Sequence, residues 1–227
     1  MLFRIILSCF AFNIVIAQEK IQYDEMELLG KVIPEFYNEK IPLIKKAGDA
    51  FVNMQKEALK EGIKIEIVSG FRSYNRQKQI WNRKFRFNKM NGLSPKQNLL
   101  KIIEYSTLPG TSRHHWGTEI DIIDGNKTVS GDVLLEENFH GDGPYVKLRK
   151  WMDINAKKFG FYRPYDNNPK RKGFEYEPWH YSYAPIAIPM LKAYIKLKLR
   201  DQIIQKDLEG YQYLNNNFIV KYKKEYI

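Results

Sequence analysis

The sequence predicts an α+β fold, a small, mainly antiparallel sheet flanked by helices. Three observations carry that reading. Long stretches place apolar residues at helical spacing, and shorter ones alternate in period two. The two kinds follow one another without the regular strand–helix–strand order of a parallel sheet. At 227 residues with 44% apolar side chains, the chain can bury a core and is too apolar to stay disordered.

Taken in order, "IPLIKKAGDAFVNMQKEALKEG" sets Ile44, Ala47, Phe51, Met54 and Leu59 along one side of a helix, with Gly62 as its stop. "IKIEIV" alternates, is rich in β-branched residues and ends at Ser69-Gly70, which predicts a half-buried strand. "NRQKQIWNRKFRFNKMNG" predicts a helix with Asn75 as N-cap and Gly92 as stop. "SPKQNLLKIIEYS" predicts another, capped by Ser94 with Pro95 at its first position. "TEIDII" reads as a strand and "PYVKLRKWMDINAKKFG" as a helix between Pro144 and Gly160. "FEYEPWHYSYA" reads as an aromatic strand and "IPMLKAYIKLKLRDQIIQKDLEG" as a final helix. The expected organisation is a signal peptide over 1–17, a lead-in over 18–39, a main domain over 40–206 and a C-terminal extension over 207–227. The sequence leaves the packing of that extension open.

The opening "MLFRIILSCFAFNIVIAQ" has the layout of a secretory signal peptide. Arg4 supplies the positive charge, Ile5 to Ile16 the apolar run, and Val15-Ile16-Ala17 a cleavage site before Gln18. The run is shorter than the about 20 residues of a membrane span. An exported chain, periplasmic or extracellular, with no transmembrane span after cleavage is therefore expected. "ILSC" loosely resembles a lipobox, so lipid anchoring through Cys9 is the alternative. Cys9 is the one cysteine, so the cleaved chain forms no disulfide and must build any metal site from His and carboxylate. The net charge of +11 comes from scattered basic residues in no nucleic-acid-binding module. Charge alone supports weak attraction to polyanions, such as cell-wall polymers or a membrane surface, and no specific nucleic acid.

Chemistry concentrates in two stretches. "SRHHWGTEIDI" holds two of the four histidines and an aspartate, Asp121, seven residues after His114. "EYEPWHYSY" places Glu177 three residues before His180 among large aromatics. Either pattern alone arises by chance. Together they supply what a cysteine-free zinc site needs: three His or carboxylate ligands, an open position, and a carboxylate off the metal to handle protons. Spacing alone does not choose between His114 and His115. His140, in "FHGDG", reads as a solvated loop residue, and Asp124, Asp142 and Tyr145 as loop or core residues.

These stretches resemble, in the right order, the motifs of the VanY-type zinc D-alanyl-D-alanine carboxypeptidases, which have the lysostaphin/D-Ala-D-Ala metallopeptidase/hedgehog-like fold. That group carries S-x-H-x-x-G-x-A-x-D, matched by Ser112, His114, Gly117 and Asp121. It later carries E-x-W-H, matched by Glu177, Trp179 and His180. "SGFRSYNRQ" is similar to its S-G-Y-R-S-Y-x-x-Q and supplies Ser69, Arg72 and Gln77; "NAKKFGF" fits too. The resemblance spans residues 40 to 190 or so.

The resemblance implies one Zn²⁺ bound by His114, Asp121 and His180, with Glu177 as general base and Arg72 stabilising the oxyanion. It implies that Ser69, Gln77 and Ser112 contact substrate. The chain is expected to be a monomer, and the implied activity is hydrolysis of a peptide bond in peptidoglycan stem peptides, releasing a terminal D-alanine. The alternatives are an L,D-carboxypeptidase or cross-link endopeptidase using the same site, and a non-catalytic cell-wall binding module. Two departures stand out: Phe71 replaces a tyrosine, and Glu119 replaces a small residue on the strand face shared with Asp121. Two bends are also required. One near Trp116-Gly117 must return His114 toward Asp121 while His115 packs or faces solvent. Pro178 must break the alternation that would put Glu177 and His180 on opposite faces.

Overall fold

The computed structural model describes residues 23–198 and 200–227; the signal peptide, the Ala17 cleavage site and Cys9 lie outside the described residues. One turn of helix, α1 (Glu25–Leu28), is capped by the Asp24 carboxylate, which accepts from the amides of Met26 and Glu27. An antiparallel ribbon of β1 (Phe36–Asn38) and β2 (Ile41–Ile44) leads into α2 (Lys45–Lys60). Helix α2 buries Ala47, Phe51, Met54 and Ala58. Leu59, expected on that face, is 62% exposed. Four residues beyond Met54 return to the same side of a helix and five do not, so Ala58 takes the core position.

Strand β3 (Ile65–Ser69) follows, then α3 (Tyr74–Met90) and α4 (Pro95–Ile103). Ser73, not Asn75, caps α3: its backbone is extended and its hydroxyl accepts from the Arg76 amide at 3.2 Å, while Asn75 already lies inside the first turn. Helix α4 begins as expected, with Ser94 and Gln97 forming a reciprocal capping box and Pro95 at the first position.

The rest of the chain contributes β4 (Glu119–Asp124), α5 (Val146–Asn155), β5 (Phe161–Tyr162), β6 (His180–Tyr183), α6 (Ala184–Tyr194), α7 (Arg200–Ile203) and α8 (Asn216–Tyr226). Only the last part of "FEYEPWHYSYA" is a strand, because a turn at Pro178-Trp179 interrupts it. The long final helix is also shorter than expected. A straight continuation would carry Ile203 about 13 Å beyond Tyr194; instead the chain turns, and Ile203 and Leu208 join the core that α6 packs on.

Strands β3, β4, β6 and β5 form one antiparallel sheet in that order. On one face Ile120, Ile122 and Tyr181 pack with Phe51 and Met54 of α2 and Trp151 and Met152 of α5. A second core gathers Leu28 and Leu29, Trp81 and Phe85 of α3, α4, Trp116 and α6. The C-terminal extension belongs to it through Leu208, Leu214, Ile219 and Tyr222. The Tyr222 hydroxyl also accepts from the Leu108 amide at 3.2 Å and pairs with Thr111 Oγ1 at 2.9 Å. Among the described residues no helix is long and apolar enough to cross a membrane.

Urea unfolding should separate the two neighbours on α2. Met54→Ala is expected to lose about 2–5 kcal/mol, whereas Leu59→Ala should stay within about 0.5 kcal/mol of the parent chain.

Candidate active site

Successive side chains on a strand point to opposite faces. With Ile120, Ile122 and Tyr181 committed to the core, Glu119 and Asp121 of β4 and His180 and Ser182 of β6 share the other face. The register pairs Asp121 with His180 and Glu119 with Ser182. His114 reaches the same place from a 3₁₀ turn, Arg113–Trp116, whose start is capped by Ser112 Oγ accepting from the His114 amide. Gly117 closes the turn at φ +65, and a Cβ there would stand 3.0 Å from Ile44 Cγ2, so the expected bend depends on glycine.

Backbone and side-chain acceptors fix the imidazoles. His114 Nδ1 lies 2.7 Å from the Gly70 carbonyl, which can only accept, so Nδ1 carries the proton and Nε2 faces Asp121 Oδ2 at 3.3 Å. His180 presents Nδ1 to Asp121 Oδ1 at 3.0 Å and Nε2 to Glu119 Oε2 at 2.8 Å. His114, Asp121 and His180 each offer one ligand atom, all within 4.8 Å of one another, and all three are buried. His115 turns away. Its Nδ1 donates to the Arg72 carbonyl at 2.5 Å and its Nε2 accepts from the Gly110 amide at 3.0 Å. Burial holds it neutral, lowering its pKa to about 3.

Glu177 and His180 share a face because Glu177 to His180 is a tight turn, with the His180 amide donating to the Glu177 carbonyl at 3.2 Å and Pro178 at its second position. Glu177 Oε2 then lies 3.5 Å from His180 Nδ1. The Arg72 guanidinium donates to Gln77 Oε1 and Ser69 Oγ, both at 3.0 Å, and lies 3.8 Å from Asp121 Oδ2. Tyr165 covers His180, with ring centroids 4.7 Å apart. The cleft in front of these groups has a volume of about 470 Å³, and Ser112, Arg72, His114, Asp121, Glu177 and His180 line it.

The two imidazoles respond differently to their surroundings: burial lowers the pKa of His114, and Asp121 only partly opposes it. Burial alone pushes the His180 imidazole down, but the hydrogen bonds and charges of Asp121 and Glu119 outweigh it and raise its pKa to about 10. Burial raises the Glu177 carboxyl to about 7; His180 pulls it down and Asp121 adds to the rise. Two imidazole nitrogens and a carboxylate converging within reach of one ion, with an acidic group alongside, make a donor set that fits a zinc ion with one position left open.

A family model described as D-alanyl-D-alanine carboxypeptidase, VanY, matches residues 40–186, well over half of the chain. The chain belongs to the VanY family. A putative carboxypeptidase, YodJ, of Bacillus subtilis is 34% identical over 167 residues, which is 71% of this chain and 54% of that protein. The chain spans about half the length of the curated relatives it matches. Among solved VanY-like structures, the LdcB LD-carboxypeptidase superposes with a TM-score of 0.51 at 30% identity, covering 81% of this chain and 76% of that one. A vancomycin resistance D,D-pentapeptidase VanY in complex with Zn(II) superposes with a TM-score of 0.51 at 24% identity, covering 76% and 84%, and supports the shared fold.

Ser69 and Gln77 stand behind Arg72. Gln77 is fully buried and its amide nitrogen donates to Ser106 Oγ and the Thr107 carbonyl, so it ties the arginine to the 106–107 loop, which also lines the cleft. Of the loop and core residues, Asp124 accepts from the amides of Lys64 and Asn126, Asp142 lies exposed in a turn, and Tyr145 is in the core. His140 is half-buried rather than freely solvated, because its Nε2 pairs with the Tyr176 hydroxyl at 3.2 Å. Two contributors went unseen in the sequence, Tyr165 and Arg113. Tyr165 sits in an irregular loop, and Arg113 is one of many arginines, so no local pattern marked either.

Gln77→Leu keeps the volume and removes the polar ties between Arg72 and the 106–107 loop. We expect about 1–3 kcal/mol of lost stability in denaturant titration, the usual cost of stranding buried polar partners. A residue that only touched substrate would show no such loss.

Proposed function

We propose that this chain is an exported zinc-dependent carboxypeptidase that removes the terminal D-alanine from peptidoglycan stem peptides ending in D-Ala-D-Ala. The observation that carries the reading is the convergence of His114 Nε2, Asp121 and His180 Nδ1 at the base of a cleft that Glu177 and Arg72 also line. The residues at the start of the chain that read as a signal peptide agree with a substrate outside the cytoplasm.

A zinc ion held by the three ligands would act as a Lewis acid and lower the pKa of a bound water from 15.7 to about 7. Glu177, beside His180 on the cleft wall, accepts a proton from the attacking water and returns one to the departing amine as the carbon–nitrogen bond breaks. Arg72 is held in place by Ser69 and Gln77 before substrate arrives, and its guanidinium stabilises the negative charge developing on the scissile carbonyl oxygen. The Ser112 hydroxyl on the cleft wall offers a hydrogen bond to the terminal carboxylate of the peptide. Trp179 and Tyr165 restrict water around the reacting bond.

The test is digestion of a pentapeptide muropeptide ending in D-Ala-D-Ala, beside its tetrapeptide counterpart, followed by mass spectrometry. Loss of one D-alanine from the pentapeptide is expected, abolished by a chelator and restored by zinc. Glu177→Gln should lower kcat about 10²–10⁴-fold. Arg72→Lys, which loses the planar fork, should lower it about 10²–10³-fold. Cleavage of the tetrapeptide alone, with the same metal dependence, would instead make the enzyme an L,D-carboxypeptidase. A folded, zinc-loaded chain that cuts neither would sink the carboxypeptidase reading and leave the cross-link endopeptidase and the binding module.

A further inference from the structure

Glu119 is a fully buried carboxylate on a strand where the VanY-type pattern has a small residue. Such a group is costly unless every lone pair is used and a cation offsets the charge. Here three hydrogen bonds and one ion contact surround the carboxylate. Oε1 accepts from Ser182 Oγ at 2.7 Å and from Thr118 Oγ1 at 3.1 Å. Oε2 lies 3.4 Å from Arg113 Nε and 2.8 Å from His180 Nε2. Arg113 is itself anchored, donating to the Tyr162 hydroxyl at 2.8 Å and Ser182 Oγ at 2.7 Å, with its guanidinium 5.0 Å above the Trp116 ring.

The geometry around His180 is directional. Asp121 meets Nδ1 and Glu119 meets Nε2, so the ring is held edge to edge between two carboxylates. Only Asp121 belongs to the group of convergent ligand atoms; Glu119 stands on the other side of the ring. Both carboxylates accept from the ring in the metal-free chain; once Asp121 and Nδ1 are engaged by a metal, Glu119 remains as the acceptor that keeps the single ring proton on Nε2. A negatively charged acceptor on the far nitrogen also makes the ligating nitrogen more basic.

We propose that Glu119 is a positioning residue for the metal centre. Anchored by Arg113, Ser182 and Thr118, it fixes the tautomer and orientation of His180 and strengthens it as a ligand. This rests on the metal-site reading of His114, Asp121 and His180. The competing account is a Glu119–Arg113 pair that only holds β4, β6 and the 3₁₀ turn together.

Two variants separate the accounts. Glu119→Gln keeps the shape but removes the charge on the acceptor and leaves Arg113 unpaired. Glu119→Gln with Arg113→Met removes both charges, a replacement that buried pairs often tolerate. For each, zinc affinity is measured by competition with a chromophoric chelator. The visible spectrum of the cobalt-substituted protein and the melting temperature of the metal-free protein are recorded alongside. Both variants are expected to bind zinc about 10–100-fold more weakly than the parent and to shift the cobalt absorption, with the double variant melting closer to the parent. If Glu119→Gln fails to fold, the double variant carries the comparison. Parental zinc affinity and an unshifted cobalt spectrum, with only the metal-free melting temperature lowered, would overturn the proposal and leave a purely structural pair. A parent chain that binds no zinc would overturn the metal-site reading along with it. A parent that binds zinc as tightly as its variants overturns this inference alone.

Discussion

The pairing of Asp121 with His180 across β4 and β6 is the constraint on which the site depends. Side chains directly opposite on an antiparallel pair have Cβ atoms about 4.5–5.5 Å apart, so the register itself brings a carboxylate and an imidazole together. The core on the other face locks that register. Slipping β4 by a single residue would turn Ile120 and Ile122 out of the core and bury Asp121 among Phe51 and Met54. The apolar packing behind the sheet therefore holds the polar geometry in front of it.

A second constraint runs through the loop after β3. The carbonyl of Gly70 orients His114, the carbonyl of Arg72 receives His115, and the Arg72 amide donates to the His114 carbonyl at 3.0 Å. One stretch of four residues, Ser69 to Arg72, thus carries the guanidinium and orients both neighbouring histidines with its backbone. The adjacent histidines divide the work. His114 points its free nitrogen into the cleft, while His115 satisfies a buried carbonyl and a buried amide and stays neutral.

The strands and helices with clean periodicity, β3, β4, α2 and α4, were legible in the sequence because burial of one face writes that periodicity directly. The cleft's main groups were legible through motif order, since His114, Asp121, Glu177 and His180 lie close to one another in short stretches. What was not legible depends on contacts distant in the chain. Whether Ser73 or Asn75 capped α3 turned on one residue's backbone angles. The break after α6 followed from the position of a core assembled partly by residues beyond 203. The partners of Glu119, Arg113 above all, are set by a turn and two strands meeting in space. The presence of Glu119 on the site face could be read from alternation, but its hold on His180 could not.

The segment that matches the family model, 40–186, and the residues that share its hydrophobic core are different sets. Leu28 and Leu29 lie before the segment, and Leu208, Leu214, Ile219 and Tyr222 lie after it. Tyr222 hydrogen-bonds both Leu108 and Thr111 in the loop that bears Ser112, and Trp116 donates through its indole to the Leu28 carbonyl at 3.1 Å. Homology and autonomy thus part company here. Excising the matched segment would retain every group placed at the metal centre while removing the struts that hold the loop and turn carrying His114.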